Sequence, residues 1–272
     1  NIKHHIGKKN FKLIRKSILD KKSLNKAMDD VDIVVHLAAQ PGVRYSIKHP
    51  MGVAKINVEG TINVLELCVK NNVKKMIFGS SSSVYGDIKK LPVTEDTECN
   101  PISPYGVSKL ASEKYCWYYS KLYEMEIPML RFFTVYGPRQ RPDMAINKFV
   151  TSIMNNKSPV IFGDGSQTRD FTYISDIVTG IQLAIRKKSR TDIFNLGGGN
   201  NISVNKLVKL IISYCDKGGI VFPKYIEKQE GDVRDTLADN SKARRILGWK
   251  PKVRIEDGLR KYIEWFITTN CI

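Results

Sequence analysis

Apolar residues along the chain switch repeatedly between two spacings, and this predicts alternating strands and helices. Continuous β-branched and apolar runs at 31–37 and 73–78 are typical of buried parallel strands. Between them, apolar residues recur every three or four positions from 50 to 69, as on one face of a helix. The predicted strands in this half of the chain lie at 11–14, 31–37, 73–78 and 128–133.

A second long helix is predicted to begin after Ser103 and to end near residue 122. Ser103 provides an N-cap, and Pro104 occupies a first helical position where an amide would lack a partner. Further helices are predicted at 147–156, 175–186, 204–214 and 255–267. The sequence thus predicts an α/β protein with a doubly wound parallel sheet in residues 1–137. A smaller α/β domain is predicted in residues 138–272, with some segments returning to the first.

The charge of the chain narrows its possible partners. Of 272 residues, 44 are Lys or Arg and 27 are Asp or Glu, which gives a net charge of +17. The lysines are scattered and do not alternate with aromatic residues, so nucleic acid is not favoured as a partner. No apolar run approaches the ~20 residues that a membrane-crossing helix needs. The five cysteines are odd in number and form no C-x-x-C pair, which argues against disulfides and zinc and favours the cytoplasm.

The strongest chemical signal is the pair Tyr105 and Lys109 at the start of the second helix. Residues four apart share one face of a helix. An ammonium beside a phenol favours the phenolate, and the positive end of the helix acts in the same direction. The pair therefore predicts a general base, although many exposed helix faces carry the same spacing by chance.

Small and hydroxyl-bearing residues follow two of the predicted strands. Serines at 80–83 follow the strand at 73–78, and Ala38 and Ala39 follow the strand at 31–37. The carboxyl edge of a parallel sheet is where such proteins bind ligands, so hydroxyls there can meet a substrate. The alternative is a polar loop that ends at Gly86.

Together these motifs resemble the extended short-chain dehydrogenase/reductase family, in particular its NAD-dependent nucleotide-sugar epimerases and dehydratases. The matching segments, in the family's order, are 36–40, 57–61, 80–86, 103–109, 131–138, 162–171 and 231–232. The resemblance implies a Rossmann-like fold, NAD as the cofactor and a nucleotide sugar as the substrate.

By this resemblance Tyr105 is the base, Lys109 orients it and binds the nicotinamide ribose, and Ser81 bonds the 4-hydroxyl of the sugar. The residues implied to contact NAD are Asp20, Leu37, Ala38, Ala39, Asn57, Tyr105 and Lys109. The residues implied to contact the UDP-sugar are Ser82, Ser83, Thr134, Arg141, Lys148, Phe162, Arg169 and Arg234.

Three features of the sequence have more than one interpretation. Arg169 suits a diphosphate clamp because guanidinium pairs bidentately with phosphate, but it could form an ion pair with Asp170. His36 is interpreted as a packed residue at a strand end rather than as an acid or a ligand. The glycines at 197–199 are interpreted as a plain turn.

The beginning of the chain departs from the family pattern. The family's first strand, glycine-rich turn and helix hold the cofactor pyrophosphate, and nothing in residues 1–30 matches them. The first similar piece is 16–20, which resembles the family's adenine-side segment. The sheet is therefore expected to be incomplete at its N-terminal end, and a non-catalytic relative stays an alternative.

Serine at positions 82 and 83 favours epimerisation. By the resemblance, a dehydratase carries an acid pair there and a UDP-glucuronate decarboxylase carries glutamate at 83, because both need a further acid or base. The expected reaction is 4-epimerisation of UDP-glucose/UDP-galactose or of UDP-glucuronate/UDP-galacturonate. In the second case Arg141 or Lys148 would meet the C6 carboxylate. The family also implies a homodimer through helices near 53–69 and 108–122, whose apolar residues could equally be core.

Overall fold

A computed structural model describes residues 2–188, 191–228 and 231–270. The strands are β1 (Ile33–His36), β2 (Lys75–Ser81), β3 (Met129–Phe132), β4 (Thr134–Tyr136), β5 (Val160–Phe162), β6 (Thr168–Tyr173), β7 (Ile193–Leu196), β8 (Asn201–Ser203) and β9 (Lys224–Ile226). The helices are α1 (Lys21–Ala27), α2 (Val43–Lys48), α3 (Pro50–Ala54), α4 (Gly60–Lys70), α5 (Pro104–Tyr123), α6 (Ala145–Met154), α7 (Ile174–Arg186), α8 (Val204–Tyr214), α9 (Ser241–Leu247) and α10 (Ile255–Asn270). No helix within the described ranges combines the length and the apolar character that crossing a membrane requires.

The larger sheet is parallel and runs in the order β1-β2-β3-β7. Every residue of β2 is buried, because helices cover both faces of the sheet, and this explains its apolar sequence. Met76 and Phe78 pack on the side of α1, α4 and α5. Ile77 points the other way and packs with residues of α7 and α9. The result is the three-layer α/β arrangement that the sequence predicts.

The second half of the chain builds a smaller unit beside this sheet. β4, β6 and β8 form one small sheet, and β5 pairs with β9. Helices α6, α8 and α10 bury a core of their own that includes Ile146, Leu207 and Tyr262. β7, α7 and α9 also come from this half but pack with the larger sheet. The proposed boundary at residue 137 stays a prediction, and the chain crosses back over it.

β1 lies at one margin of the larger sheet, and it is less buried than the sequence predicts. Ile33, Val35 and Leu37 are 37%, 39% and 49% exposed, whereas His36 on the opposite face is buried. Alternate side chains of a strand point to opposite faces. Only the face that carries Val34 and His36 is covered in the part of the chain that the structure describes.

Two elements differ from the predictions. The segment at 11–14 is not a strand. Its backbone forms local bonds, from Phe11 N to Lys8 O and from Lys16 N to Ile14 O, and a strand needs a neighbouring strand to pair with. The helix predicted at 50–69 widens into a π-helical turn over 55–59, between α3 and α4. Asn57 in that turn is buried and bonds outside its own helix.

Candidate active site

Helix α5 begins where the sequence predicts. The Ser103 hydroxyl accepts a hydrogen bond from Gly106 N at 3.1 Å, and Pro104 opens the helix. A Cβ at Gly106 would lie 2.4 Å from the carbonyl oxygen of Ser83. The first turn of α5 therefore touches the serine turn after β2 so closely that only glycine fits there.

Tyr105 and Ser81 are brought together at the carboxyl end of β2. The Tyr105 phenol and the Ser81 hydroxyl lie near each other, and the Ser81 hydroxyl contacts the hydroxyl and the amide of Ser83, at 3.1 and 3.2 Å. Burial raises the pKa of Tyr105, while the neighbouring Ser81 hydroxyl and the positive charge of Arg141 act in the opposite direction. The phenol is thus a proton donor or acceptor whose acidity depends on Ser81 and Arg141.

Lys109 shares a face of α5 with Tyr105, as predicted, but its ammonium is used differently. It is 5% exposed, and its Nζ donates to the carbonyl oxygen of Gly79 at 2.7 Å. It also lies 5.0 Å from the centroid of the Phe78 ring. Burial lowers the pKa of Lys109 to about 8. The prediction that the pKa of Tyr105 is lowered was wrong, because burial raises it more than Ser81 and Arg141 lower it.

The segment after β1 lies along the same edge of the sheet. Leu37 and Ala38 are exposed and Ala39 is partly buried. A Cβ at Gly79 would come within 2.7 Å of Leu37 Cδ2, so glycine lets the two strand ends approach. His36 just before them is buried and bonds the hydroxyl of Thr61 at 3.0 Å. Burial, with a smaller effect of the Lys109 charge, lowers the pKa of His36 to about 3, so its interpretation as a packed neutral residue is confirmed.

Two residues implied to contact NAD have side chains that bond within the protein. The Asn57 oxygen accepts from Gln40 N at 2.7 Å, and its amide donates to Gln40 O and to the Ser108 hydroxyl, at 3.2 and 2.9 Å. Asp20 caps α1 and accepts from the amide and hydroxyl of Ser23, at 3.0 and 2.7 Å. These bonds shape the loops of Gln40 and of α1.

Three of the residues predicted to bind the substrate line one cavity of about 460 Å³ in the second half of the chain. They are Phe162, Arg169 and Arg234. Arg169 Nη1 donates to the carbonyl oxygens of Thr168 and Arg234, both at 2.9 Å. The alternative pairing of Arg169 with Asp170 was wrong, because the buried Asp170 carboxylate accepts from Gly198 N and Ala238 N. The guanidinium is therefore held in place while its charge stays available at the cavity.

Arg44 contacts two residues that line this cavity, Asp232 and Phe162, and the sequence did not reveal it. It extends from α2, pairs with Asp232 at 2.8 Å and stacks on the Phe162 ring at 4.3 Å. The partners lie 188 positions apart in the chain. Only the segment Gly231–Asp232, which resembles the family's nucleotide region, hinted at one side of the contact.

Arg141 lies close enough to Tyr105 for their charges to interact, and it forms a bidentate ion pair with Asp143, at 2.9 and 2.7 Å. Lys148 is exposed on α6. Arg141 lowers the pKa of Asp143, the charge of Lys148 adds a smaller effect in the same direction, and burial opposes both. Thr134 is partly buried at the start of β4. Of the two cations predicted for the sugar, Arg141 is the one that interacts with Tyr105.

A family model described as GDP-mannose 4,6 dehydratase matches residues 1–262. The chain belongs to this family, within the extended short-chain dehydrogenase/reductases that its motifs resemble.

Named relatives agree with this assignment. A UDP-glucuronate 4-epimerase of Thermodesulfobacterium geofontis is 40% identical over 260 residues, which cover 94% of this chain and 79% of the relative. A crystal structure of UDP-glucuronic acid 4-epimerase from Bacillus cereus with UDP-glucuronic acid and NAD superposes with a TM-score of 0.93 at 38% identity, covering 98% of this chain and 85% of that one. UDP-glucose 4-epimerase from Thermotoga maritima with UDP-glucose gives a TM-score of 0.91 at 35% identity, covering 94% and 84%. The Rossmann-like fold is thereby established.

Proposed function

We propose that this protein is an NAD-dependent 4-epimerase that acts on a UDP-sugar. The observation that carries the proposal is the approach of the Tyr105 phenol and the Ser81 hydroxyl at the carboxyl end of β2, beside the buried ammonium of Lys109. Hydroxyls at Ser82 and Ser83 stand where a dehydratase of this family is expected to hold an acid pair. Relatives and solved neighbours named as UDP-sugar 4-epimerases support the same reaction.

Tyr105 removes the proton from the 4-hydroxyl of the sugar and returns it after the sugar has turned over. Ser81 holds that hydroxyl and the phenol in one line, which keeps the proton path short. When bound, NAD would supply the reversible hydride exchange at C4 of the sugar that epimerisation needs. Serines at 82 and 83 offer no acidity near neutral pH, so the 4-keto sugar has no elimination route and is reduced again.

The residues present fit NAD at the sheet edge. The exposed Leu37 and Ala38 offer an apolar surface for a flat ring, and Gly79 lets the Leu37 side chain pack closely against β2. Lys109 lies at the same edge, with donors beyond the one given to Gly79, and would bind the nicotinamide ribose. Asp20 would lie on the adenine side.

The cavity at Phe162 suits the UDP part of the substrate. Arg169 and Arg234 present guanidinium groups, which pair well with a diphosphate. Phe162 offers an aromatic surface for the uracil ring, and Arg44 already covers part of it. The two guanidinium groups and the Phe162 ring lie in the second half of the chain, whereas Tyr105 and Ser81 lie in the first half.

The sugar is UDP-glucose or UDP-galactose in the first instance. Asp143 already neutralises Arg141, so a neutral hexose can bind without separating that ion pair. UDP-glucuronate or UDP-galacturonate is the second candidate, favoured by the position of Arg141 near Tyr105, where a C6 carboxylate could replace Asp143 as its partner. Thr134, Ser82 and Ser83 would line the sugar pocket in either case.

The protein is further proposed to act in the cytoplasm as a homodimer. α5 exposes Tyr115, Tyr118 and Leu122, which lie three and four positions apart and so share one face. Most apolar residues of α4 are buried in the core, and the exposed tyrosine face of α5 is proposed as the main contact surface. Light scattering of the purified protein should give twice the monomer mass, and Tyr118→Asp should reduce it to one.

The function is tested by incubation with UDP-glucose and, separately, with UDP-glucuronate in the presence of excess NAD. NMR of the sugar ring should show the C4 epimer accumulating to an equilibrium, with no release of water or carbon dioxide. Formation of a 4-keto-6-deoxy sugar or of UDP-xylose as the main product would replace the proposal by a dehydratase or a decarboxylase.

A further inference from the structure

One face of α5 meets the end of β2 through three successive side chains, one helical turn apart. The contacts pair Tyr105 with Ser81, Lys109 with Gly79 and Glu113 with Ser80. The first two belong to the proposed reaction. The third, in which the Ser80 hydroxyl donates to Glu113 Oε1 at 2.6 Å, does not.

Glu113 also joins a third element. Its carboxylate accepts two bonds from Arg131 of β3, from Nε at 2.9 Å and from Nη2 at 2.7 Å. Ser80 and Arg131 lie directly opposite each other on β2 and β3. One carboxylate therefore fixes the position of α5 against both central strands of the sheet.

This ion pair is deeply buried, with Glu113 at 1% and Arg131 at 2% exposed. Burial opposes the charge of Arg131, but the bonds and the charge of Glu113 outweigh it and hold the pKa of Arg131 above its ordinary value. Apolar residues of similar volume often stabilise a core as well as a buried ion pair does. Stability alone is therefore a weak reason for charges at this place.

We propose that Glu113 is a positioning residue. It fixes the position of α5 along β2, so that Tyr105 lies beside Ser81 where the substrate binds. The inference rests on the proposed function. A shift of α5 along β2 would separate Tyr105 from Ser81 and Lys109 from Gly79 together, since all three contacts lie on one rigid helix. Misplacement of a catalytic group by 1 Å can lower a rate by about 100-fold.

The charge of Glu113 gives the proposal a second readout, at Lys109. The ionisable groups near Lys109 include Tyr105, Glu113 and Cys116 on α5 and His36 on β1. Burial lowers the pKa of Lys109, and Cys116 and Glu113 oppose that effect. Removal of the Glu113 charge should therefore lower this pKa further, and the unpaired Arg131 would act in the same direction.

The test compares Glu113→Gln and Ser80→Ala with Glu126→Gln as a matched control. Lys75 and Glu126 form another ion pair between the segments of β2 and β3, with Nζ and Oε1 2.9 Å apart, at the opposite end of the strands. We expect kcat to fall about 10- to 100-fold in Glu113→Gln and less in Ser80→Ala. KM should stay within about twofold of the wild-type value in both variants, and Glu126→Gln should leave kcat unchanged.

A second measurement follows Lys109 by NMR of lysine-labelled protein, with its signal identified by its loss in Lys109→Arg. The midpoint of the Lys109 titration should fall by roughly half a pH unit or more in Glu113→Gln, and it should not change in Glu126→Gln. An unchanged midpoint together with unchanged kcat would overturn the proposal and leave Glu113 as part of the core. If Glu113→Gln does not fold, Ser80→Ala decides by its kcat. If the wild type epimerises nothing, the proposed function fails, and the Lys109 midpoint still tests Glu113.

Discussion

Replacement of Gly106 by alanine tests whether the contact between α5 and the serine turn controls catalysis. A Cβ at this position would lie 2.4 Å from Ser83 O and 2.9 Å from Pro101 Cβ. An ordinary close approach of carbon to oxygen is about 3.3 Å, so the turn and the helix must separate by roughly 0.9 Å. Overpacking of this kind costs about 1–3 kcal/mol, and the helix propensity of alanine returns about 0.5–1 kcal/mol.

The expected net loss is therefore between about 0 and about 2.5 kcal/mol in the free energy of unfolding. Turnover should fall by about 10- to 100-fold, because Ser83 is bonded to Ser81 and carries it away from Tyr105. Gly52→Ala is the control, since Gly52 lies in α3 with nothing within 4 Å of an added Cβ. It should stabilise the protein slightly and leave turnover unchanged. Wild-type stability and turnover in Gly106→Ala would show that the turn is not constrained by α5.

Three further predictions follow from the site. Tyr105→Phe should lower turnover by about 100-fold or more with little change in thermal unfolding, and a variant with near-normal turnover would remove Tyr105 from the mechanism. Arg169→Ala should weaken UDP binding in calorimetry by at least 10-fold, whereas Lys228→Ala, at the rim of the same cavity, should weaken it much less. The neutral His36 has a folded pKa near 3, below its unfolded value, so its contribution to stability is complete above pH 6.5 and is lost as the pH falls toward 3. Denaturant titrations should show that loss at about 1.4 kcal/mol per pH unit, and His36→Asn should reduce the slope.

The parts of the site that sequence reasoning found are those in which local rules and chemistry coincide. Ser103 and Pro104 mark the start of α5, and the helix then places Tyr105 and Lys109 on one face without any help from the rest of the chain. Ser81 could be placed at the end of β2 because the change from buried apolar residues to serines marks the end of a strand. These features depend on a few neighbouring residues, so the local sequence is enough to predict them.

The features that escaped prediction depend on distant partners. Nothing near Arg44 indicates that it pairs with Asp232, and nothing near Lys109 indicates that a backbone carbonyl of β2 accepts its bond. The four apolar and basic residues at 11–14 have the composition of a strand, but strand formation depends on a partner that local sequence does not specify. Local patterns predict elements well and long-range contacts poorly.

The ion pair of Arg44 and Asp232 joins two regions with separate tasks. Proton transfer is assigned to side chains around the larger sheet, and recognition of the nucleotide to Phe162, Arg169 and Arg234. Substitutions in the second region could therefore change which nucleotide is recognised, through its nucleobase or its diphosphate, without any change at Tyr105 and Ser81. Such a change would affect the first region through Arg44, because Arg44 extends from α2 and contacts Asp232 and the Phe162 ring in the second region.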